Sequence, residues 1–459
     1  MLQSAIDYYH SLIDLAAARE SQEQLTRALR ERQLFFGNRP LATVLRPRLI
    51  TETQYQFLCT AVDAVAGAAR KIAAAALADD AQAAAIREVL QLTPQEAALI
   101  AMPPGYAEPS AHSRMDTFLS VDGSSLQFVE YNAESPAAIA YEDLMSAAFL
   151  ELPLMRTFVQ RYQLRPLPAR RRVIEMLLAA WREAGEPGGS PQVAIVDWHG
   201  LPTATEFVMF RDYFAEHHLP ALICSPDELQ FRDGRLVAVQ GNTVAPVSIV
   251  FKRVLTSELL TRYGEAALDH PLMQAYAAGA CVVVNNFRAK LLHKKSIFAL
   301  LTDEQFQADF NPAEKAAVAQ HVPWTRLLQP GETSYQDQRI DLLDFTQRNR
   351  DRLILKPNDD YGGRGIIIGW ECDEATWQAA LKTALHSPFV VQERVSIAYE
   401  PYPALIDGRL NISERLVDSD PYLFGPAVDG CLCRLSKVTL LNVTAGGGST
   451  VPVFVIAER

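Results

Sequence analysis

Two short stretches carry the residue types that could do chemistry. The first is Arg352-Leu353-Ile354-Leu355-Lys356-Pro357-Asn358-Asp359-Asp360-Tyr361-Gly362-Gly363-Arg364-Gly365-Ile366-Ile367-Ile368. Two apolar runs flank a polar, glycine-dense segment, which predicts two strands joined by a loop. Gly362, Gly363 and Gly365 permit positive φ and put no side chain between the backbone and a ligand. Such a loop can turn its N–H groups onto phosphate oxygens, with Lys356 and Arg364 adding positive charge. An ordinary glycine hairpin with solvated charges would read the same way, so this stretch alone decides nothing.

The second stretch lies far upstream. Arg114-Met115-Asp116-Thr117-Phe118-Leu119-Ser120-Val121, then Asp122-Gly123, then Leu126-Gln127-Phe128-Val129-Glu130-Tyr131-Asn132 predicts a β-hairpin turning at Asp-Gly. Side chains alternate along a strand, so Arg114 and Asp116 share one face, as do Glu130 and Asn132. A two-residue loop would place the two sets on opposite faces. A three-residue loop, Val121-Asp122-Gly123 with a left-handed glycine, pairs Arg114 with Glu130 and unites all four. Asp116, Glu130 and Asn132 would then offer hard oxygens to a divalent cation, beside an arginine for an anionic substrate. A solvated strand face with Arg114 pairing the two acids is the alternative.

The elements that must position these residues follow from pattern. Residues 1–101 read as helical, with alanine-rich runs and one clear break at Phe35-Phe36-Gly37-Asn38-Arg39-Pro40. Residues 102–185 carry the hairpin and end in a helix near Arg172 to Trp181. Between 186 and 288, strands at Gln192–Asp197, Ala221–Cys224, Val247–Val254 and Cys281–Asn285 alternate with helices, which predicts a mainly parallel sheet. An amphipathic helix, Asn286 to Leu301, leads into residues 289–459. Its basic cluster, Lys290, His293, Lys294 and Lys295, reads as a solvated face. The glycine loop, a strand at Phe389 to Val395 and a largely β segment from Leu410 to Ile456 follow, with glycines at Gly446-Gly447-Gly448.

The 459 residues carry 43 Lys plus Arg against 54 Asp plus Glu, a net charge of −11, which argues against non-specific nucleic-acid binding. No apolar run is long enough to span a membrane, and the N-terminus lacks the order of a signal peptide. Six scattered cysteines fit buried thiols; Cys431 and Cys433 alternate within an apolar strand, which suits thiols better than zinc. A reducing cytoplasm is the expected compartment. Oligomeric state is not legible.

Taken in order, the Arg114-x-Asp116 strand, Phe128-Val129-Glu130-Tyr131-Asn132, Lys295-Ser296-Ile297, Lys356-Pro357 with Gly362-Gly363-Arg364-Gly365, and Val391-Gln392-Glu393 resemble the circularly permuted ATP-grasp family typified by glutathionylspermidine synthetase, synthetase part only. The resemblance covers about three quarters of the chain. It implies an α+β fold with ATP between two lobes, an α/β parallel-sheet unit resembling a pre-ATP-grasp domain, and an N-terminal helical region. It further implies that Lys295 and Lys356 contact phosphates under the glycine loop, that Gln392 and Glu393 meet the adenine, and that Asp116, Glu130 and Asn132 bind Mg²⁺. Arg114 would stabilise the transferring phosphoryl group. The implied reaction activates a small-molecule or peptide carboxylate as an acyl-phosphate, which an amine converts to an amide. A phosphotransferase on the same fold, or a non-catalytic nucleotide-binding protein, are the alternatives. Residues that would recognise glutathione or spermidine are not evident, and Lys294 could replace Lys295.

Overall fold

A computed structural model describes residues 1–439 and 448–459. The chain is a mixed α+β protein whose sheets divide the work of building one cleft. The largest sheet has nine strands and is mostly antiparallel. In it the Asp420–Phe424 strand pairs with His112–Leu119, which pairs in turn with Leu126–Asn132. A four-stranded antiparallel sheet carries the glycine-loop strands. Leu353–Pro357 lies between Phe389–Glu393 and the short Ile367–Ile368, with Leu355 opposite Ile367. Leu355, Val391, Trp377 and Leu381 form the core beneath it.

The strands expected to alternate with helices do form a parallel sheet, in the order Val282–Val284, Ile249–Lys252, Val193–Val196, Ala221–Cys224. All four positions of Val193–Val196 are buried, as a parallel strand covered by helices requires. Beside it, Leu229–Arg232, Arg235–Gln240 and Thr243–Val247 form a three-stranded antiparallel ribbon.

Three expectations need correction. The N-terminal region is not purely helical. Arg48–Thr51 is a buried strand running parallel to Ser449–Glu458, so this region joins the large sheet. Four residues of strand between long helices give too little period-2 pattern to stand out.

The Asn286–Leu301 segment is not one amphipathic helix. A 3₁₀ turn at Phe287–Ala289 leads into Lys290–His293; Lys294 is extended at ψ 133°, and a new helix starts at Ile297. Its basic cluster is buried, with Lys290 at 0% and Lys294 at 3% exposure. Lys290 pairs with Asp359 at 2.6 Å and Glu134 at 3.3 Å, and Lys294 with Glu96 at 3.0 Å. Buried ammonium groups persist when paired in this way. Those acids lie in distant segments, so the partners were invisible to local patterning.

The third correction concerns hairpin register. Arg114 faces Asn132, and Asp116 faces Glu130, rather than Arg114 facing Glu130. The turn is longer than three residues: Ser120 N–H donates to Ser125 O at 2.9 Å, with Gly123 left-handed at φ 73°. From Thr117 opposite Phe128 the register moves to Asp116 opposite Glu130, which leaves Val129 as a bulged residue. The bulge, not the loop, restores the parity that puts all four polar residues on one face. Gly446 and Gly447 lie outside the described residues.

Candidate functional site

A cleft of about 500 Å³ opens where the large sheet, the small antiparallel sheet and the parallel unit meet. The hairpin face supplies Arg114, Asp116, Glu130 and Asn132 to its wall. Across from it stand Lys356, Gly362, Gly363, Arg364, Gln392 and Glu393. The geometry thus brings together two stretches from opposite ends of the chain. Gly365 does not border the cleft directly. Its φ of 66° and a built Cβ only 2.8 Å from Pro357 Cγ explain why the loop needs glycine there.

Lys356 ends its strand with its ammonium buried in the cleft wall. Nζ donates to Gln392 Oε1 at 2.7 Å and to the carbonyl of bulged Val129 at 3.0 Å. Burial lowers its pKa to about 8; nearby Glu130 opposes the fall and Lys295 adds to it. Gln392 also donates to Thr325 Oγ1 at 3.1 Å, so its side chain is held in place and orients Lys356. Glu393 accepts from Tyr335 Oη at 2.6 Å and pairs with Arg352 at 3.1 Å. Ile354, Ile366, Ile368 and Leu432 make the adjoining wall apolar.

Lys295 is set by a turn locked to the glycine-loop strand. Asn358 accepts from Lys295 N at 2.9 Å through its carbonyl and from Ser296 N at 2.8 Å through Oδ1. The Lys295 ammonium pairs with Glu130 Oε1 at 2.9 Å and donates to the Asp360 carbonyl. Lys294 points instead to Glu96 and Asp359. Of the adjacent lysines, Lys295 is therefore the one that reaches the hairpin face.

Around Asp116 the charges are dense. Oδ1 accepts from Arg114 Nε at 2.7 Å and Asn132 Nδ2 at 3.0 Å; Oδ2 accepts from Arg114 Nη2 at 3.2 Å and Arg434 Nη2 at 2.7 Å. Burial would raise the Asp116 pKa, but Arg114 and then Arg434 outweigh it and hold the carboxyl well below its usual range. Arg434 also pairs with Asp418 at 2.6 Å and Asp420 at 2.8 Å. Burial pushes both of these acids upward against the arginine's pull. Arg434, Asp418 and Asp420 were not singled out from the sequence. Their signal was present: Asp418 and Asp420 alternate just before an apolar strand, a period-2 polar pair like Arg114 and Asp116.

The donor chemistry suits Mg²⁺. Among the described residues Glu130 has Lys295 as its one ion-pair partner, and Asn132, having donated Nδ2–H to Asp116, keeps its amide oxygen without a donor. Two hard oxygens, completed by phosphate and water, are a usual magnesium complement. Asp116 is different: its four acceptor positions are taken, so it can ligate a cation only if an arginine moves.

No protein-family model and no curated protein matches the sequence. Among solved structures, the chain is similar to a glutathione synthetase-like effector from Globodera pallida in its apo form. The two are 13% identical with a TM-score of 0.58, covering 95% of this chain and 96% of that one. A candidate gamma-glutamylcysteine synthetase from Methylobacillus flagellatus KT is 11% identical, with coverage of 89% of each chain and a TM-score of 0.44, an overlap that adds nothing to the fold assignment. Over nearly its whole length, then, the chain shares the fold of a glutathione synthetase-like protein.

Proposed function

We propose that the protein is an ATP- and Mg²⁺-dependent carboxylate–amine ligase of the ATP-grasp type, with the circularly permuted order that puts the acidic hairpin before the glycine loop. The observation that carries this reading is the meeting, in one cleft, of buried Lys356 and a glycine loop with an oxygen-rich hairpin face, whose Glu130 pairs with Lys295. The substrates are small-molecule or peptide acids and amines. The boundaries near 101, 185 and 288 mark the N-terminal region, the hairpin-bearing part and the parallel unit from the nucleotide-binding part.

In this reading Lys356 and Lys295 hold the phosphates. The glycine loop covers them with backbone N–H groups, and the apolar slot beside Gln392 takes the adenine. Bound Mg²⁺ would neutralise phosphate charge, held by Glu130 and Asn132 with Asp116 behind them. Arg114, fixed by Asp116, presents its guanidinium where charge builds as the phosphoryl group moves to the substrate carboxylate. No nucleophilic side chain is required, because the acyl-phosphate is itself the activated species.

A test needs only ATP, a panel of acids and a panel of amines. A ligase releases ADP and phosphate when both an acid and an amine are present. ADP formation with a single acceptor and no free phosphate would mean a phosphotransferase instead.

A further inference from the structure

The cleft extends past the hairpin toward the parallel sheet, and that arm has its own chemistry. Asp197 and Arg253 directly follow Val193–Val196 and Ile249–Lys252, two adjacent strands in which Val196 pairs with Lys252. Both therefore stand at carboxyl ends of a parallel sheet, where ligands of open α/β sheets bind. Both line the cleft, together with Glu258, Tyr141 and the apolar Leu201 and Phe207.

Among the described residues, polar groups here keep bonding capacity to spare. Asp197 is 8% exposed; Oδ1 accepts from Trp198 N at 2.8 Å, and no other hydrogen bond or ion pair reaches the carboxylate among the described residues. Tyr141 is 3% exposed and its hydroxyl has no hydrogen-bond partner among the described residues. A native site rarely leaves buried polar atoms unpaired without a use. The basic groups of the two strand ends already have partners. Arg253 donates to the Pro136 carbonyl at 2.8 Å and has Glu206 at 3.8 Å, while Lys252 is paired with Glu134 at 2.8 Å. Glu258 accepts from Tyr361 Oη at 2.9 Å. Neither Asp197 nor Glu258 has an ion-pair partner among the described residues, although Arg364 also lines the cleft.

We infer that this arm is the acceptor-amine subsite, in which Asp197 holds the ammonium group of a primary alkylamine and takes its proton, with Glu258 adding negative charge and Leu201 and Phe207 packing the alkyl chain. The inference rests on the ligase reading. The step balances simply. The ammonium gives one proton to the Asp197 carboxylate, and the freed nitrogen lone pair forms the C–N bond to the acyl-phosphate carbon. The carbon–oxygen bond to phosphate breaks, and the phosphate leaves with that electron pair and the nitrogen's second proton. Burial raises the Asp197 pKa to about 7, with the Trp198 N–H and Arg253 opposing and Glu258 reinforcing, which suits a base at neutral pH.

The test uses the full chain and ligand-observed NMR with n-butylamine, glycinamide and, as an uncharged control, 1-butanol. The two amines should bind and 1-butanol should not, and Asp197→Asn should weaken amine binding at least tenfold. Asparagine keeps the acceptor for Trp198 N–H, and stabilisation by ATP with Mg²⁺, measured in parallel, reports that the variant is folded. Equal binding of 1-butanol, no binding of either amine, or unchanged amine affinity in Asp197→Asn overturns the subsite while ATP stabilisation persists. Wild-type protein that ATP with Mg²⁺ does not stabilise overturns the ligase reading, and the subsite with it.

Discussion

Lys356 Nζ lies 3.0 Å from the carbonyl oxygen of Val129, the residue bulged out of the hairpin ladder. One irregularity thus serves two ends. It turns Arg114, Asp116, Glu130 and Asn132 to a common face, and it frees a carbonyl that fixes the lysine of the opposite sheet.

Burying that ammonium has a cost that the protein tolerates for its binding role. Lys356→Met should leave the protein as stable as wild type or more so at pH 7, while abolishing the rise in melting temperature caused by ATP with Mg²⁺. The sign with pH follows from linkage. The folded state sheds the Lys356 proton near pH 8 and the unfolded chain near 10.5, so across that window the unfolded state binds more protons and stability climbs with pH. Urea unfolding from pH 7 to 10.5 should show this climb in wild type and its loss in Lys356→Met.

Glu130 is claimed twice, by Lys295 in the structure and by Mg²⁺ in the proposed reaction. Glu130→Gln should leave the fold intact and cut ATP turnover by at least a hundredfold. It should also free Lys295, so that ATP without Mg²⁺ binds at least as tightly as to wild type. Equilibrium binding with and without Mg²⁺ checks the second point, and unchanged turnover would remove Glu130 from the metal site.

Arg434 forms ion pairs with three acids at once. Arg434→Leu should destabilise the protein by about 3–5 kcal/mol, because buried Asp418 and Asp420 lose their ion-pair partner and Asp116 keeps only Arg114. The deficit should shrink on lowering the pH toward 5, as the stranded carboxylates take up protons. Chemical denaturation at pH 5 and pH 8 reads both effects.

Gly365→Ala places a Cβ at φ 66° and against Pro357. It should cost about 1–2 kcal/mol of stability and weaken ATP binding about tenfold, whereas Gly408→Ala, at φ 74° with nothing near its Cβ, should cost stability alone. Thermal unfolding with and without nucleotide separates the two.

Local pattern revealed the elements whose signal is local: the glycine-loop strands, the alternating strands and helices that build the parallel sheet, and the face-sharing of Arg114 with Asp116. It missed whatever depends on distant chain. The parity of the hairpin depended on a bulge at Val129, an apolar residue with no mark of its own. The basic run at Lys290 looked like surface because Glu96, Glu134 and Asp359, which bury it, lie in other segments. Arg434 could be linked to Asp116 only once the strands between them were paired.

The central claim is that ATP activates a carboxylate for attack by an amine. Mass spectrometry of ATP-supplied reactions with ¹⁸O-labelled carboxylic acids and a panel of primary amines tests it most directly. The expected products are ADP, phosphate bearing one ¹⁸O from the acid, and an acid–amine conjugate lighter than its components by one water. Phosphorylated acceptor without conjugate, or a conjugate formed with unlabelled phosphate, would contradict it.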